Sequence, residues 1–241
     1  MKLKIQNASE FHKLLFALAG DLVDARIHFN LLRSLSAANE EYFIEFAQSN
    51  TFWSLTFEAH LDATLVRLCK SFDLHRRSLN LRTLVSTVKE NLHLFEEEGF
   101  RERLRGNTFV DSLAATYRVP SAAMIQEDLE FVSPDNPLVK KLTVWRDKHI
   151  AHRDPSSVLN PEELTGRYPL LFTDIDELLR RGLRIVNEYS SPFIATTHSS
   201  GVVGKDDYLT ILKAVRESVN RHEANIEKEW QMLMAQSQSA T

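Results

Sequence analysis

The chain has 241 residues, of which 43% are hydrophobic and 26% charged, the composition of an ordinary globular protein with ample material for a core. Its formal net charge is −4. The molecule as a whole therefore lacks the positive charge that drives nonspecific binding to nucleic acid, and any such contact must be local. Only 7 Gly and 7 Pro occur, few for a sheet protein with many tight turns, so helix is favoured from the outset.

Apolar residues recur at helical spacing along most of the chain. The main helices are predicted at residues 9–35, 52–72, 81–95, 174–189 and 207–235, with another starting near residue 137 and short ones near 107–117 and 121–129. A further helix is predicted after Asn39 through residue 46, and it either breaks near Ser49 or continues into 52–72. Residues 155–169 are expected to form a loop. These patterns predict an all-α fold, an antiparallel bundle of four main helices with accessory helices and a C-terminal helix.

The predicted domain boundary lies where proline and glycine gather late in the chain. We expect a helical bundle over residues 1–190, a linker over 191–206, and a C-terminal helix with a polar tail over 207–241. The last helix has a seven-residue apolar rhythm and is expected to pack on the bundle or on a partner. Within the linker, the run from Gly201 to Lys205 lacks the glycine spacing and the following hydroxyl residue of a phosphate loop, which excludes that motif.

A single cysteine, Cys69, excludes an intramolecular disulfide and is consistent with a reducing compartment. The apolar run from Leu14 to Ala19 is too short for a secretory signal or a membrane span. We therefore expect a cytoplasmic protein that does not enter a membrane.

One stretch, from Trp145 to Asp154, is polar and strongly basic at the place where an amphipathic helix should end. There the apolar face of the helix is replaced by Arg146, His149 and His152. On an α-helix, neighbouring members of this set lie about 60° apart around the axis, so the three side chains cover roughly a third of the circumference. Arginine offers a planar fork of donors to a phosphate, and histidine exchanges a proton near neutral pH. This combination suits phosphodiester chemistry.

Spacing alone leaves two other interpretations of this stretch. Cations at a helix C-terminus are favoured by the helix dipole, so the segment can be a purely structural helix end. His149 and His152, with Asp154 nearby, can also be considered as metal ligands. They lack a convincing further ligand, and the flanking Lys148 and Arg153 oppose a cation.

The order of residues in the stretch resembles a known family signature. Arg146-Asp147, a further four residues and then His152 resemble the motif of the HEPN superfamily, in which an Arg and a polar residue are followed, after a short gap, by a His. The wider string is most similar to the abortive-infection U-type branch of that superfamily.

A second resemblance to the same branch lies upstream. The string Arg67-Leu-Cys-Lys-Ser-Phe-Asp73, followed by Ser78-Leu-Asn-Leu81, is similar to the end of the branch's second helix and the turn after it. The resemblance covers roughly residues 5–190 and leaves the C-terminal helix outside.

The resemblance implies a metal-independent endoribonuclease without a cofactor, a toxin or phage-defence effector that acts on RNA as a homodimer. It gives Arg146 the roles of phosphate binding and transition-state stabilisation, His152 the role of general acid and base, and Asp147 the role of orienting one of them. The expected substrate-binding residues beside these three are Lys148, His149 and Arg153. Asp147 departs from the neutral Asn frequent in this branch, and its charge opposes RNA unless it is paired.

Two alternatives to the ribonuclease remain open. The first is a noncatalytic HEPN-like module that binds RNA, a nucleotide or a protein partner such as an antitoxin. The second is a structural helical interaction protein, in which the motif is only a capped helix end. The direction in which Arg146 and His152 point separates them, since catalysis requires both side chains in a shared cleft.

Overall fold

A computed structural model describes residues 3–75, 77–115, 119–150 and 155–239. Within these ranges the regular elements are helices and no strand occurs, which confirms the all-α prediction. The α-helices are α1 (Ala8–Glu41), α2 (Phe43–Ala47), α3 (Asn50–Ser71), α4 (Leu81–Glu90), α5 (Glu97–Arg103), α6 (Val110–Ala115), α7 (Ala122–Phe131), α8 (Pro137–Trp145), α9 (Pro155–Leu159), α10 (Pro161–Arg167), α11 (Phe172–Ile194) and α12 (Asp207–Ser239). A 3₁₀ turn covers Leu92–Phe95, and a π-helical turn covers Arg146–Ile150. Among the described residues, no helix has the length and apolarity needed to cross a membrane.

The prediction of a loop at residues 155–169 is wrong, because this region contains α9 and α10. Each of these helices begins with a proline, Pro155 or Pro161. Proline suits the first position of a helix, since its fixed φ is already helical and its missing N–H would have no helical acceptor there. The prolines that indicated a loop therefore mark helix starts.

Two helix ends also differ from the prediction. α4 ends at Glu90, because Asn91 leaves the helical conformation with φ −129° and the chain continues as the 3₁₀ turn. α11 continues beyond residue 189 to Ile194, with Pro192 in its last turn and Ala195 following in the left-handed conformation at φ 52°. Residues 191–194, expected in the linker, thus belong to this helix. The count of four main bundle helices stays a prediction.

The described residues of Met1–His28 and Asp62–Ser200 form one compact unit. At its centre, the ring of Phe11 lies edge-on to those of Phe95 and Phe193, at centroid distances of 5.7 and 4.9 Å. Gly182 of α11 lies so close to α1 that a Cβ atom at this position would come within 2.9 Å of a Leu22 methyl group. Close packing of α11 on α1 therefore depends on this glycine.

A buried carboxylate links α7 to α11 in the same unit. Asp128 is 0% exposed, and its Oδ2 accepts a hydrogen bond of 2.7 Å from the Tyr189 hydroxyl. Its Oδ1 accepts one of 3.1 Å from Arg184, which also pairs with Glu188 at 3.1 Å. Burial raises the pKa of Asp128, although Tyr189 and Arg184 act in the opposite direction. The two donors thus compensate part of the cost of holding this group inside the fold.

The described residues of Phe29–Leu61 and Gly201–Thr241 form a second unit with its own small core. Its buried side chains are Leu35, Tyr42, Phe46, Trp53 and Leu212. Arg216 of α12 pairs with Glu45 of α2 and lies 4.2 Å from the centroid of the Tyr42 ring. The first turns of α12 therefore pack on α2, whereas residues 220–236 are exposed and carry the later part of the seven-residue apolar stripe.

Candidate functional site

Helix α8 presents the basic motif, and its start agrees with the sequence. The side chain of Asn136 caps the helix by accepting hydrogen bonds from the backbone N–H groups of Leu138 and Val139, at 2.9 and 3.4 Å. At the other end, the indole N–H of Trp145 donates to the backbone carbonyl of Tyr168 at 2.6 Å. Side-chain hydrogen bonds therefore fix both ends of α8, and Arg146 is the first residue after its C-terminal end.

The backbone after Trp145 is π-helical over Arg146–Ile150 rather than α-helical. The 60° spacing expected between Arg146 and His149 does not apply here, because a π-helical turn closes hydrogen bonds five residues apart and holds more residues. Single π-helical turns inside helices occur frequently at functional sites.

The guanidinium group of Arg146 lies between two carboxylates. Its Nη1 is 2.6 Å from Oδ1 of Asp73, and its Nε and Nη2 are each 2.7 Å from Oδ1 of Asp147. The Arg146 side chain is 24% exposed. Burial lowers the pKa of Arg146, but the two carboxylates act more strongly together and raise it above its ordinary value. Arg146 is thus a permanent, half-buried cation.

Asp73 reaches Arg146 from the turn after α3. Its Oδ1 also accepts a hydrogen bond of 3.0 Å from the backbone N–H of His75. Burial raises the pKa of Asp73, but the His75 amide, the Ser78 hydroxyl and Arg146 together lower it below the ordinary value. Asp73 is therefore ionised at neutral pH and supplies a full negative charge to the pair.

The loop that carries Asp73 is fixed by a buried asparagine. The side-chain oxygen of Asn80 accepts from the backbone N–H of Thr83 at 2.8 Å and caps α4. Its amide group donates to the carbonyls of His75 and Ser78, at 3.3 and 3.1 Å. These bonds tie His75 and Ser78 to the start of α4, and His75 lies two residues after Asp73.

A small pocket of about 240 Å³ opens beside Arg146. It is lined by Val66, Cys69, Lys70, Asp73, Arg146 and Ile150. The exposed Lys70 and the half-buried Arg146 place two cations next to an apolar wall. Burial raises the pKa of the Cys69 thiol to about 12, so the thiol stays protonated and does not serve as a nucleophile. Asp73 also lines the pocket and balances one of the two positive charges.

The structure brings some of the predicted site residues together. Asp147 is exposed and lies on Arg146, whereas Lys148 is half-buried. His149 is exposed, with its ring edge-on to that of Trp145 at 5.6 Å. His152 and Arg153 lie outside the described residues.

Lys70 and Asp73 are not among the site residues predicted from the sequence. The structure adds both to the surroundings of Arg146, although 73 positions of sequence separate Asp73 from that arginine. The upstream string similar to the family was the available signal. In the part of the chain that is described, no group of three or more His, Cys, Asp or Glu side chains is arranged to hold a metal ion.

Comparison with known protein families gives a match over most of the chain. A family model described as HEPN_AbiU2 (AbiU2) matches residues 8–214. No curated protein and no solved structure matches the chain.

Proposed function

We propose that this chain, which belongs to the AbiU2 family of HEPN proteins, is a metal-independent endoribonuclease that acts as a toxin or phage-defence effector. In the proposed reaction, the 2′-hydroxyl oxygen of RNA attacks the adjacent phosphorus and the bond from phosphorus to the 5′-oxygen breaks. The products are a 2′,3′-cyclic phosphate and a free 5′-hydroxyl. A base removes the proton from the attacking hydroxyl, and an acid protonates the leaving oxygen.

The observation that carries the proposal is the position of Arg146. It is a permanent cation at the edge of a pocket that also contains Lys70, and it is held by a half-buried carboxylate. A fixed cation of this kind stabilises the negative charge that builds up on the phosphoryl oxygens during attack, because it needs little reorganisation in the transition state. We assign proton transfer to His152, with Lys148, His149 and Arg153 binding the RNA backbone.

The test of this function is cleavage of mixed RNA in the presence of EDTA, followed by analysis of the product ends. We expect cyclic phosphate ends from the wild-type chain. The His152→Ala variant should lose cleavage activity, and its midpoint of thermal unfolding should equal that of the wild type. Intact RNA in the wild-type reaction, or undiminished cleavage by the variant, would contradict the proposal.

We further propose that two chains share one site. A single histidine cannot easily serve as base and acid in the same step, whereas a two-fold dimer brings two copies of His152 to one cleft. Mixing Arg146→Ala and His152→Ala subunits, at a concentration where subunits exchange, should produce an activity that differs from that of either homodimer. Full activity of a wild-type monomer would rule out the shared site.

A second candidate function is a noncatalytic HEPN-like module that binds RNA, a nucleotide or an antitoxin. The observation that favours it is that Nε, Nη1 and Nη2 of Arg146 all contact carboxylates, so the donors that a transition-state phosphate would need are already engaged. The EDTA experiment separates the two functions, because such a module leaves RNA intact.

A further inference from the structure

We infer that Asp73 is the positioning residue for Arg146, and that Asp147 occupies the edge of the guanidinium group that an RNA phosphate takes over on binding. The inference rests on the proposed function, since it assumes that Arg146 meets a phosphate. It assigns different roles to two carboxylates that lie at almost the same distance from one cation, 2.6 and 2.7 Å.

Asp73 is built into the fold. Its side chain is 25% exposed, and the oxygen that contacts Arg146 also accepts the backbone N–H of His75. Buried Asn80 holds the same turn through its bonds to His75 and Ser78. If the carboxylate moved away from Arg146, it would also lose its hydrogen bond from the His75 backbone. It therefore limits the rotamers of a long side chain that would otherwise have to be ordered when ligand binds.

Asp147 has the opposite character. Its side chain is 53% exposed. The residue itself follows Arg146 directly in the chain. One of its oxygens contacts both Nε and Nη2, the pair of donors through which arginine binds a phosphate in the two-pronged mode. Exposed ion pairs contribute little to stability because water solvates both partners well. A phosphodiester can therefore displace Asp147 at low cost, while the bond from Nη1 to Asp73 stays in place.

The two roles predict opposite effects from the same kind of substitution. Charge alone predicts that removing either carboxylate tightens the binding of anionic RNA, because each lies within hydrogen-bond distance of the guanidinium group. If Asp147 only occupies the phosphate position, Asp147→Ala tightens binding. If Asp73 orders Arg146, Asp73→Ala weakens binding in spite of the lost negative charge.

The experiment measures the Kd of a 2′-O-methyl RNA oligonucleotide by fluorescence anisotropy at physiological salt. This probe lacks the attacking hydroxyl and cannot be cleaved by the proposed reaction. We expect Asp147→Ala to lower the Kd about two- to five-fold, the effect of removing one exposed ion pair that competes with the ligand. Asp73→Ala should raise the Kd by at least about three-fold, and Asp73→Asn should recover part of the loss because its amide oxygen still accepts from Arg146.

Asp24→Ala is the matched control. Asp24 pairs with Arg67 at 3.6 Å, and its side chain is 55% exposed, close to the value for Asp147. Its removal changes the net charge by the same amount as Asp147→Ala, but Asp24 does not line the pocket beside Arg146. The Kd of the Asp24→Ala variant should therefore stay at the wild-type value. Thermal unfolding of each variant establishes that the fold is retained.

The inference would be overturned by tighter binding in both site variants, by weaker binding in both, or by an unchanged Kd in either Asp147→Ala or Asp73→Ala. A wild-type chain that does not bind the probe would overturn it as well. Failure of the proposed function is read separately, from the cleavage assay. If Asp147→Ala lowers the Kd and Asp73→Ala raises it, but the wild-type chain does not cleave RNA, the roles of the two carboxylates stand and the proposed ribonuclease activity is rejected.

Discussion

Replacing Arg146 with alanine is expected to lower the rate of RNA cleavage by at least about 100-fold, the usual effect of removing one group that stabilises transition-state charge. The fold should survive, because the pair with Asp73 is partly exposed and its loss should cost about 1 kcal/mol or less. Asp73 keeps its hydrogen bond from the His75 backbone in the variant. The measurement is the first-order rate of RNA cleavage in EDTA, with the unfolding midpoint recorded for the same samples.

Two further variants sharpen this prediction. Arg146→Lys keeps the charge but loses the planar fork, so its rate should fall between those of the wild type and the alanine variant. Arg180→Ala is the control, because Arg180 is an exposed cation of α11 that pairs with Glu177 at 2.7 Å. It should cleave RNA at the wild-type rate. If Arg146→Ala also cleaved at that rate, Arg146 would have no part in the chemistry.

Replacing Asp128 with alanine is expected to lower the free energy of unfolding by about 2–4 kcal/mol, because a buried tyrosine hydroxyl is left without its acceptor and one ion pair is lost. Asp128 is fully buried and accepts from both Tyr189 and Arg184 of α11. In the variant, the Tyr189 hydroxyl loses its acceptor inside the core, and Arg184 loses its buried partner. Urea unfolding should show the loss, and thermal unfolding should show a midpoint lower by roughly 10 °C.

The neighbouring residue provides the control for Asp128. Glu127 contacts Arg181 and Arg184 at 3.2 and 3.3 Å, but its side chain is 55% exposed. Glu127→Ala should therefore cost less than about 1 kcal/mol. Asp128→Asn should lie between the two alanine variants, since its amide oxygen can still accept from Tyr189. Equal losses for Asp128→Ala and Glu127→Ala would show that burial is not what makes Asp128 important.

The sequence by itself determined the fold class and the place of the motif. Helical spacing of apolar residues is a local pattern, and an α-helix is made by hydrogen bonds between residues four apart. The start of α8 and the position of Arg146 at its end follow from that pattern. The same local reasoning failed at Pro155 and Pro161, because proline is compatible with both a loop and the first turn of a helix.

Only the tertiary structure decided which groups surround Arg146. The contact with Asp73 joins positions 73 residues apart, and it depends on where α3 ends relative to the end of α8. No local pattern encodes that distance, because it follows from the packing of the helices and from the turn that Asn80 holds. The different roles inferred for Asp73 and Asp147 likewise depend on burial. Both are aspartates in the sequence, but only the fold makes one of them half-buried and leaves the other in water.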